Sequence, residues 1–397
     1  MNLIRIESSI NSIVCPLCKS ENSTHHARIE EVPAFLGCVD SRIEEDQFIT
    51  YDVFICRDCG MISTSAIFDE VSYQHLHSEA VGTIWNKHHE ALAKFTQTFL
   101  KENAQLLEIG PSSSPISRRL ITKPANVTYL DLLDCLPFEL ESHEQYFKMR
   151  FPHREMKFAV NGVIASHVFE HTYDMHEFLL SAANSIGKGE SFVISIPNFE
   201  KWISNLFWNA ITPEHTVYPF VEHLRWLVAE IGLSLSIENY LDHSIFAAFS
   251  KQEVQAEPIE SEELVRLVNK SEQILTTWTK YILSSIQKSE RELERSLLHH
   301  PHDAVCIAGA SHLAQYPILM SPSLRDKVDF VIDNSPSKDG KRLYGTQVFS
   351  RRFETLSDYL NPVVIVFRSS YQEEMISQIK SINSRATVIT NNELELN

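Results

Sequence analysis

Residues 106–120 read LLEIGPSSSPISRRL. A short apolar run ends in an acid and a glycine, and a turn then leads into a helical start. Apolar runs of this length, bounded by turn residues, read as buried strands. Gly110 allows a sharp turn and the close approach of a ligand. The next such run, Val127-Thr128-Tyr129-Leu130, ends in Asp131, 21 residues after Gly110. In a doubly wound sheet, ligands sit at the carboxyl ends of the strands, and an acid so placed accepts hydrogen bonds from ribose hydroxyls. Glu108, Gly110, Ser112 and Asp131 are therefore candidate cofactor-binding residues. A dinucleotide needs glycines where this loop has Pro111 and three serines, and Glu108 would repel its phosphates. S-adenosylmethionine has no phosphate and carries an amino group and a sulfonium, so the loop suits it better. The plain alternative is an ordinary strand end without a ligand.

The same alternation extends on both sides. QLLEIG, NVTYLD, GVIASHV and SFVISIP are strand candidates over residues 63–250, with helical stretches such as MHEFLLSAANSIG between them. That order predicts an α/β unit with a parallel sheet. No clear third strand is evident between Asp131 and Val163. Residues 301–397 alternate again through AVCIAGA, VDFVID, NPVVIVF and ATVIT, which predicts a second, smaller Rossmann-like unit. Between the two, residues 251–300 read as a linker and a long helix. KQEVQAEPIES (251–261) is polar, and Leu264, Leu267, Val268, Ile274, Leu275, Trp278, Ile282 and Ile286 follow at helical spacing. Packing between domains is the expected role of that helix.

Residues 1–62 hold two C-x-x-C knuckles, Cys15-Pro-Leu-Cys18 and Cys56-Arg-Asp-Cys59, with 37 residues between them. A tight turn aims two thiolates at one ion, and two such turns complete a tetrahedron around zinc. Four sulfur ligands leave no open position, so the expected zinc is structural. Unmetallated cysteine turns are the alternative. His25 and His26 stand near enough in sequence to compete as ligands.

The formal charge of −17 argues against a non-specific nucleic-acid binder, whose surface would have to be basic, and leaves nucleic-acid binding by a zinc ribbon as a minor alternative. Hydrophobic content of 43% and charged content of 22% fit a folded, water-soluble chain, and no apolar run approaches a membrane span. The opening MNLIRIESSINSIVCP lacks the layout of a signal peptide. A cytoplasmic protein is expected, with no membrane or nucleic-acid partner, as a monomer or homodimer.

EIGPSSSP, YLD, VIASHVFEHTYD and VISIPN, in that order, resemble the signatures of Rossmann-type S-adenosylmethionine methyltransferases. Ser166 and His167, in the S-H-V-F-E-H stretch, match the segment that lines the methionine side of the cofactor in that class. The domain order further resembles the sugar C-methyltransferases: a zinc-binding N-terminal domain, a methyltransferase core and a C-terminal Rossmann-like domain. VCIAGASHLAQYPILM and VDFVIDNSPSKDGKRLYGTQVFS are similar to that family's C-terminal signature. The family carries a lysine where this chain has Leu313 and a glycine where it has Ala314. The resemblance implies C-methylation of a nucleotide-linked keto-deoxysugar in polysaccharide or natural-product synthesis.

Ile211-Thr212-Pro213-Glu214-His215-Thr216-Val217-Tyr218 is similar to the family's I-Y-H-E-H-x-S-Y segment, which carries the base region. By position, Glu214, His215 and Tyr218 are the implied catalytic residues, while Thr212 and Pro213 replace a tyrosine and a histidine. Methylating carbon requires a carbanion or enolate; a histidine accepts the proton near neutral pH, and a neighbouring acid orients it. Tyr73-Gln74-His75-Leu76-His77-Ser78 occupies the place of a Y-x-Y-Y-S-like stretch. The replaced residues keep two further readings open: O- or N-methylation of a small molecule, and a non-catalytic zinc and Rossmann binding subunit.

Overall fold

The computed structural model describes residues 4–5, 13–65, 82–153, 158–241, 243–251, 261–299 and 302–390. The stretch 73–78 lies outside the described residues. The run starting at Gln105 is the centre of a seven-stranded sheet ordered Ser234–Tyr240, Ser244–Ser250, Ile186–Pro197, Val160–Ser166, Gln105–Ile109, Asn126–Asp131, Glu144–Lys148. The last five are parallel neighbours, and Ser244–Ser250 runs antiparallel to both strands beside it. Successive side chains of a strand face opposite ways. Leu106, Val127, Ile164 and Val193 accordingly meet the helix Thr83–Gln97 on one face. Leu107, Leu130, Val163 and Ile194 meet Met175–Ser185 and Val221–Ile231 on the other. Both faces are covered, so the strands read as continuous apolar runs.

The structure supplies the third strand that the sequence did not reveal. Glu144–Lys148 (EQYFK) pairs in parallel with Asn126–Asp131 at the sheet edge, where none of its residues is buried. An edge strand needs no apolar run, which is why it left no signal. The hairpin Ser234–Tyr240 and Ser244–Ser250, which ends the sheet on the other side, is likewise beyond what the sequence patterns predict.

A second seven-stranded sheet is ordered Thr387–Thr390, Pro362–Val366, Ala304–Ala308, Phe330–Asp333, Phe349–Arg352, Arg342–Leu343, Cys38–Val39. Its first five strands are parallel and include all four apolar runs expected there. Its last strand comes from the N-terminal part of the chain, antiparallel to Arg342–Leu343. Arg342 grips that segment: its guanidinium donates to both Asp46 carboxylate oxygens (2.6 and 2.7 Å) and to Ser41 O. The N–H of Gly345, a residue at φ +81°, donates to Asp46 as well.

A third, antiparallel sheet carries the cysteine knuckles, in the order Ile4–Arg5, Ser23–Pro33, Phe48–Cys56, Ile62–Thr64, Val217–Tyr218. Here too the last strand is borrowed, from the end of the T-P-E-H-T-V-Y segment. The helix Ser261–His299 is continuous. Leu267, Ser271, Leu275, Trp278, Ile282, Ile286 and Leu293 form its buried stripe. It packs into a core shared by the knuckle sheet, residues 199–220 and the second parallel sheet. Trp278 Nε1 donates to Phe207 O, and Ser271 Oγ to Gly60 O.

Candidate functional site

The carboxyl ends of the two parallel sheets face a common cavity of about 320 Å³. A second cavity of about 280 Å³ lies beside the ends of Gln105–Ile109 and Asn126–Asp131. Gly110, Ser112, His167 and His171 line both and form the rim between them.

The loop quoted at the outset shapes this rim. Gly110 sits at φ +65°, and a Cβ there would lie 2.5 Å from Val168 Cγ2. The glycine is therefore needed for its conformation and for the close packing of the S-H-V-F-E-H strand end. Glu108 acts from below: its carboxylate accepts N–H bonds from Ile116 (2.6 Å) and Ser117 (3.0 Å). Burial pushes its carboxyl up to about 7, against the pull of those bonds. Its carboxylate is thus held by the loop backbone, and the residue lines the larger cavity rather than the second one. Asp131 holds its own turn through the N–H groups of Leu132 and Leu133, and Ser112 N–H lies 3.3 Å from its other oxygen. Ser166 lines the larger cavity, while His167, at φ +54°, lines both.

The 211–218 segment closes the larger cavity from the knuckle side. Thr212, Glu214 and His215 line it. Glu214 is buried and its carboxyl is pushed up to about 7 by burial. The His215 ring lies edge-on to His171, with centroids 4.9 Å apart. Thr64 Oγ1 donates to His215 O, so the knuckle sheet fixes the backbone of this residue. Tyr218 does not line the cavity. Its buried hydroxyl donates to Thr212 O and accepts from Thr212 N–H, which braces the segment internally.

The four knuckle sulfurs converge. Cys15 and Cys59 Sγ lie 3.6 Å apart, Cys18 and Cys56 Sγ 3.4 Å apart, and all four lie within 4.8 Å of one another. Tetrahedral zinc with Zn–S bonds of about 2.3 Å places sulfurs about 3.8 Å apart, so this set fits the ion. Lys19 and Gly60, each following a knuckle, take positive φ as the tight turns require. His25 instead pairs with Asp52, and His26 with Thr279.

Several residues of the site gave no usable signal one by one. His88 and His243, from a helix and a hairpin turn, join the candidate His167 at a strand end, and one ring nitrogen of each lies within 4.8 Å of the other two. Trp85 packs against all three. Glu170 and His171 were in the quoted V-F-E-H stretch, but only the fold shows them beside His215.

Burial, helped by the Arg119 charge at His89 and by neighbouring imidazoles, holds the His89 and His243 pKa values near 3 and pushes His88 down further. An unfolded histidine titrates near 6.5, so above that pH these three contribute their full stabilisation. As the pH falls from about 6.5 towards 3, the unfolded chain binds protons that the folded one refuses. Stability should fall by up to about 1.4 kcal/mol per pH unit for each histidine. Urea unfolding at pH 7.5, 6 and 5 checks this, and an unchanged midpoint would show that the cluster accepts protons while folded.

No protein-family model matches the sequence, and no curated protein matches it. The structure has partial likeness to solved methyltransferases. One is the Haloferax volcanii complex between the Trm112 methyltransferase activator and a methyltransferase, at 14% identity and a TM-score of 0.35 over 42% of this chain and 91% of that one. The N-methyltransferase NodS of Bradyrhizobium japonicum WM9 matches at 13% identity and 0.34, over 43% and 97%. The 1,6-didemethyltoxoflavin-N1-methyltransferase of Burkholderia thailandensis, solved with bound 1,6-didemethyltoxoflavin and S-adenosylhomocysteine, matches at 11% and 0.34, over 42% and 81%.

Proposed function

We propose that the protein is an S-adenosylmethionine-dependent methyltransferase that methylates a carbon of a nucleotide-linked keto-deoxysugar. The observation that carries this is the pair of cavities joined at Gly110, Ser112, His167 and His171. One is bordered by the glycine turn and Asp131, which suit a nucleoside. The other is lined by Glu214 and His215. The bound cofactor supplies an electrophilic methyl group at the rim.

The chain's own residues do the rest. Asp131 accepts the ribose hydroxyls, and Ser112 and the rim hold the methionine end. Glu214 and His215 stand against the carbon that loses its proton, and Tyr218 holds their loop rigid. Ser311, Asn334, Ser335 and Lys338 form the opposite wall, where the nucleotide end of the substrate would lie. Leu313 packs over the Gly309 turn, its Cδ1 3.1 Å from where a Cβ on that glycine would stand, and both residues line the larger cavity. Cys15, Cys18, Cys56 and Cys59 hold a structural zinc that keeps the knuckle sheet, and with it His215, in place.

Calorimetric titration with S-adenosylhomocysteine tests the cofactor assignment: saturable one-to-one binding is expected, and none at millimolar ligand would end it. With cofactor bound, His215→Ala should retain that affinity while turnover on a sugar-nucleotide panel drops about 10²–10⁴-fold. Unchanged turnover would remove His215 from the mechanism. Product NMR separates a methyl on carbon from one on oxygen or nitrogen.

A further inference from the structure

Among the described residues, Glu170 is the fully buried carboxylate of the larger cavity that neither the fold nor the proposed reaction uses. It is 0% exposed and lines the cavity, and neither of its oxygens accepts a hydrogen bond. Leaving a carboxylate so placed costs several kcal/mol unless a cation or donor compensates it. His167 Nδ1 comes within 3.3 Å of Oε1, too poorly placed to hydrogen-bond. Two further imidazoles stand close to it: one ligand atom each from Glu170, His171 and His215 lies within 4.8 Å of the other two.

The orientation of His171 supplies a second, independent observation. Its Nδ1 lies 2.8 Å from the backbone carbonyl of Glu214, which has no proton to give, so Nδ1 carries the hydrogen and donates. That fixes the tautomer in which Nε2 presents a lone pair. Metal-binding histidines are typically oriented in this way, by giving the other ring N–H to a carbonyl or carboxylate. Two histidines and one carboxylate suit a first-row divalent cation and leave positions open for further ligands. The four-thiolate knuckle group, by contrast, is full.

We propose that Glu170, His171 and His215 bind a divalent first-row cation whose open positions take an oxygen of the substrate. The assignment rests on the methyltransferase reading only for the identity of that oxygen. For a keto-sugar it is the carbonyl oxygen. The cation stabilises the negative charge that gathers there when the neighbouring carbon gives its proton to Glu214. The carbon then takes the methyl group, its new C–C bond replacing the S–C bond of the cofactor, and the carbonyl reforms. In this scheme Glu214 is the base, and His215, expected from the sequence to accept the proton, is a ligand instead, so the turnover lost in His215→Ala reports the loss of the cation.

Manganese is the probe, because Mn²⁺ favours oxygen and nitrogen ligands over the thiolates of the zinc knuckles. Electron paramagnetic resonance titration of the zinc-loaded full-length protein with MnCl₂ should show one bound Mn²⁺ per chain. Glu170→Gln, which keeps the shape of the side chain, should weaken binding more than 10-fold, and His171→Ala likewise. A titration with S-adenosylhomocysteine on the same samples reads the cofactor cavity separately, so failure of the metal site and failure of the methyltransferase reading are distinguishable. No bound Mn²⁺ in the wild-type protein, or equal binding by folded Glu170→Gln, overturns the proposal.

Discussion

Cys56→Ser will lower the thermal midpoint by roughly 10 °C or more and, under the proposed function, remove most turnover, although no thiol lines the larger cavity. The stability loss follows from the proposed zinc. Structural zinc contributes on the order of 10 kcal/mol to small zinc-binding peptides. A few kcal/mol lost from this unit already corresponds to roughly that shift in a domain of moderate size. The activity loss follows from connectivity. Cys56 ends one strand of the knuckle sheet, and Cys59-Gly60 turns the chain into Ile62–Thr64, which pairs with Val217–Tyr218. Thr64 then donates to His215 O. Elemental analysis should find about one zinc per wild-type chain and little in the variant. A variant that loses zinc but keeps its midpoint would show that the knuckles fold without metal.

Arg342→Met should cost about 3–5 kcal/mol of stability in denaturant titration, because it leaves Asp46 buried without its cation. The Arg342 side chain is 9% exposed and that of Asp46 is 0% exposed. Pairing the change with Asp46→Leu should recover much of the loss, since removing both charges is often neutral. If the single variant is as stable as the wild type, the N-terminal segment is not held by this ion pair. The arginine lies in the K-R-L-Y-G-T stretch read as a C-terminal signature. In the structure that stretch ties the second parallel sheet to the N-terminal segment around Asp46. Arg342 and Gly345 hold Asp46, and Gln315 donates to Phe35 O and Tyr344 O.

What could be read in advance follows from what each residue does locally. Buried parallel strands carry continuous apolar runs, so Gln105–Ile109, Asn126–Asp131 and the four strands of the second α/β unit were legible. The knuckles were legible because the spacing of two thiolates around one ion is itself local. The edge strand Glu144–Lys148 was not, since partial exposure removes the pattern that marks a strand. The histidines His88 and His243 and the carboxylate Glu170 were hidden for another reason. Each is unremarkable beside its own neighbours, and only three-dimensional convergence gives it a role. Glu108 shows the intermediate case: its importance to the loop was visible, but its oxygens face backbone N–H groups of that loop, which sequence spacing could not distinguish from facing a ligand.

The borrowed strands bear on how this chain can be cut. Cys38–Val39 finishes a sheet whose other strands lie beyond residue 300, and Val217–Tyr218 finishes one whose other strands lie before residue 65. A fragment ending before residue 302 would leave Asp46 without Arg342, and one starting after residue 64 would lose the partner of Val217–Tyr218. Either excision exposes a strand edge, the surface on which unrelated chains pair and aggregate. Exchanging the C-terminal unit with that of another protein would therefore require moving residues 34–46 with it, so the transplantable piece is discontinuous in the chain.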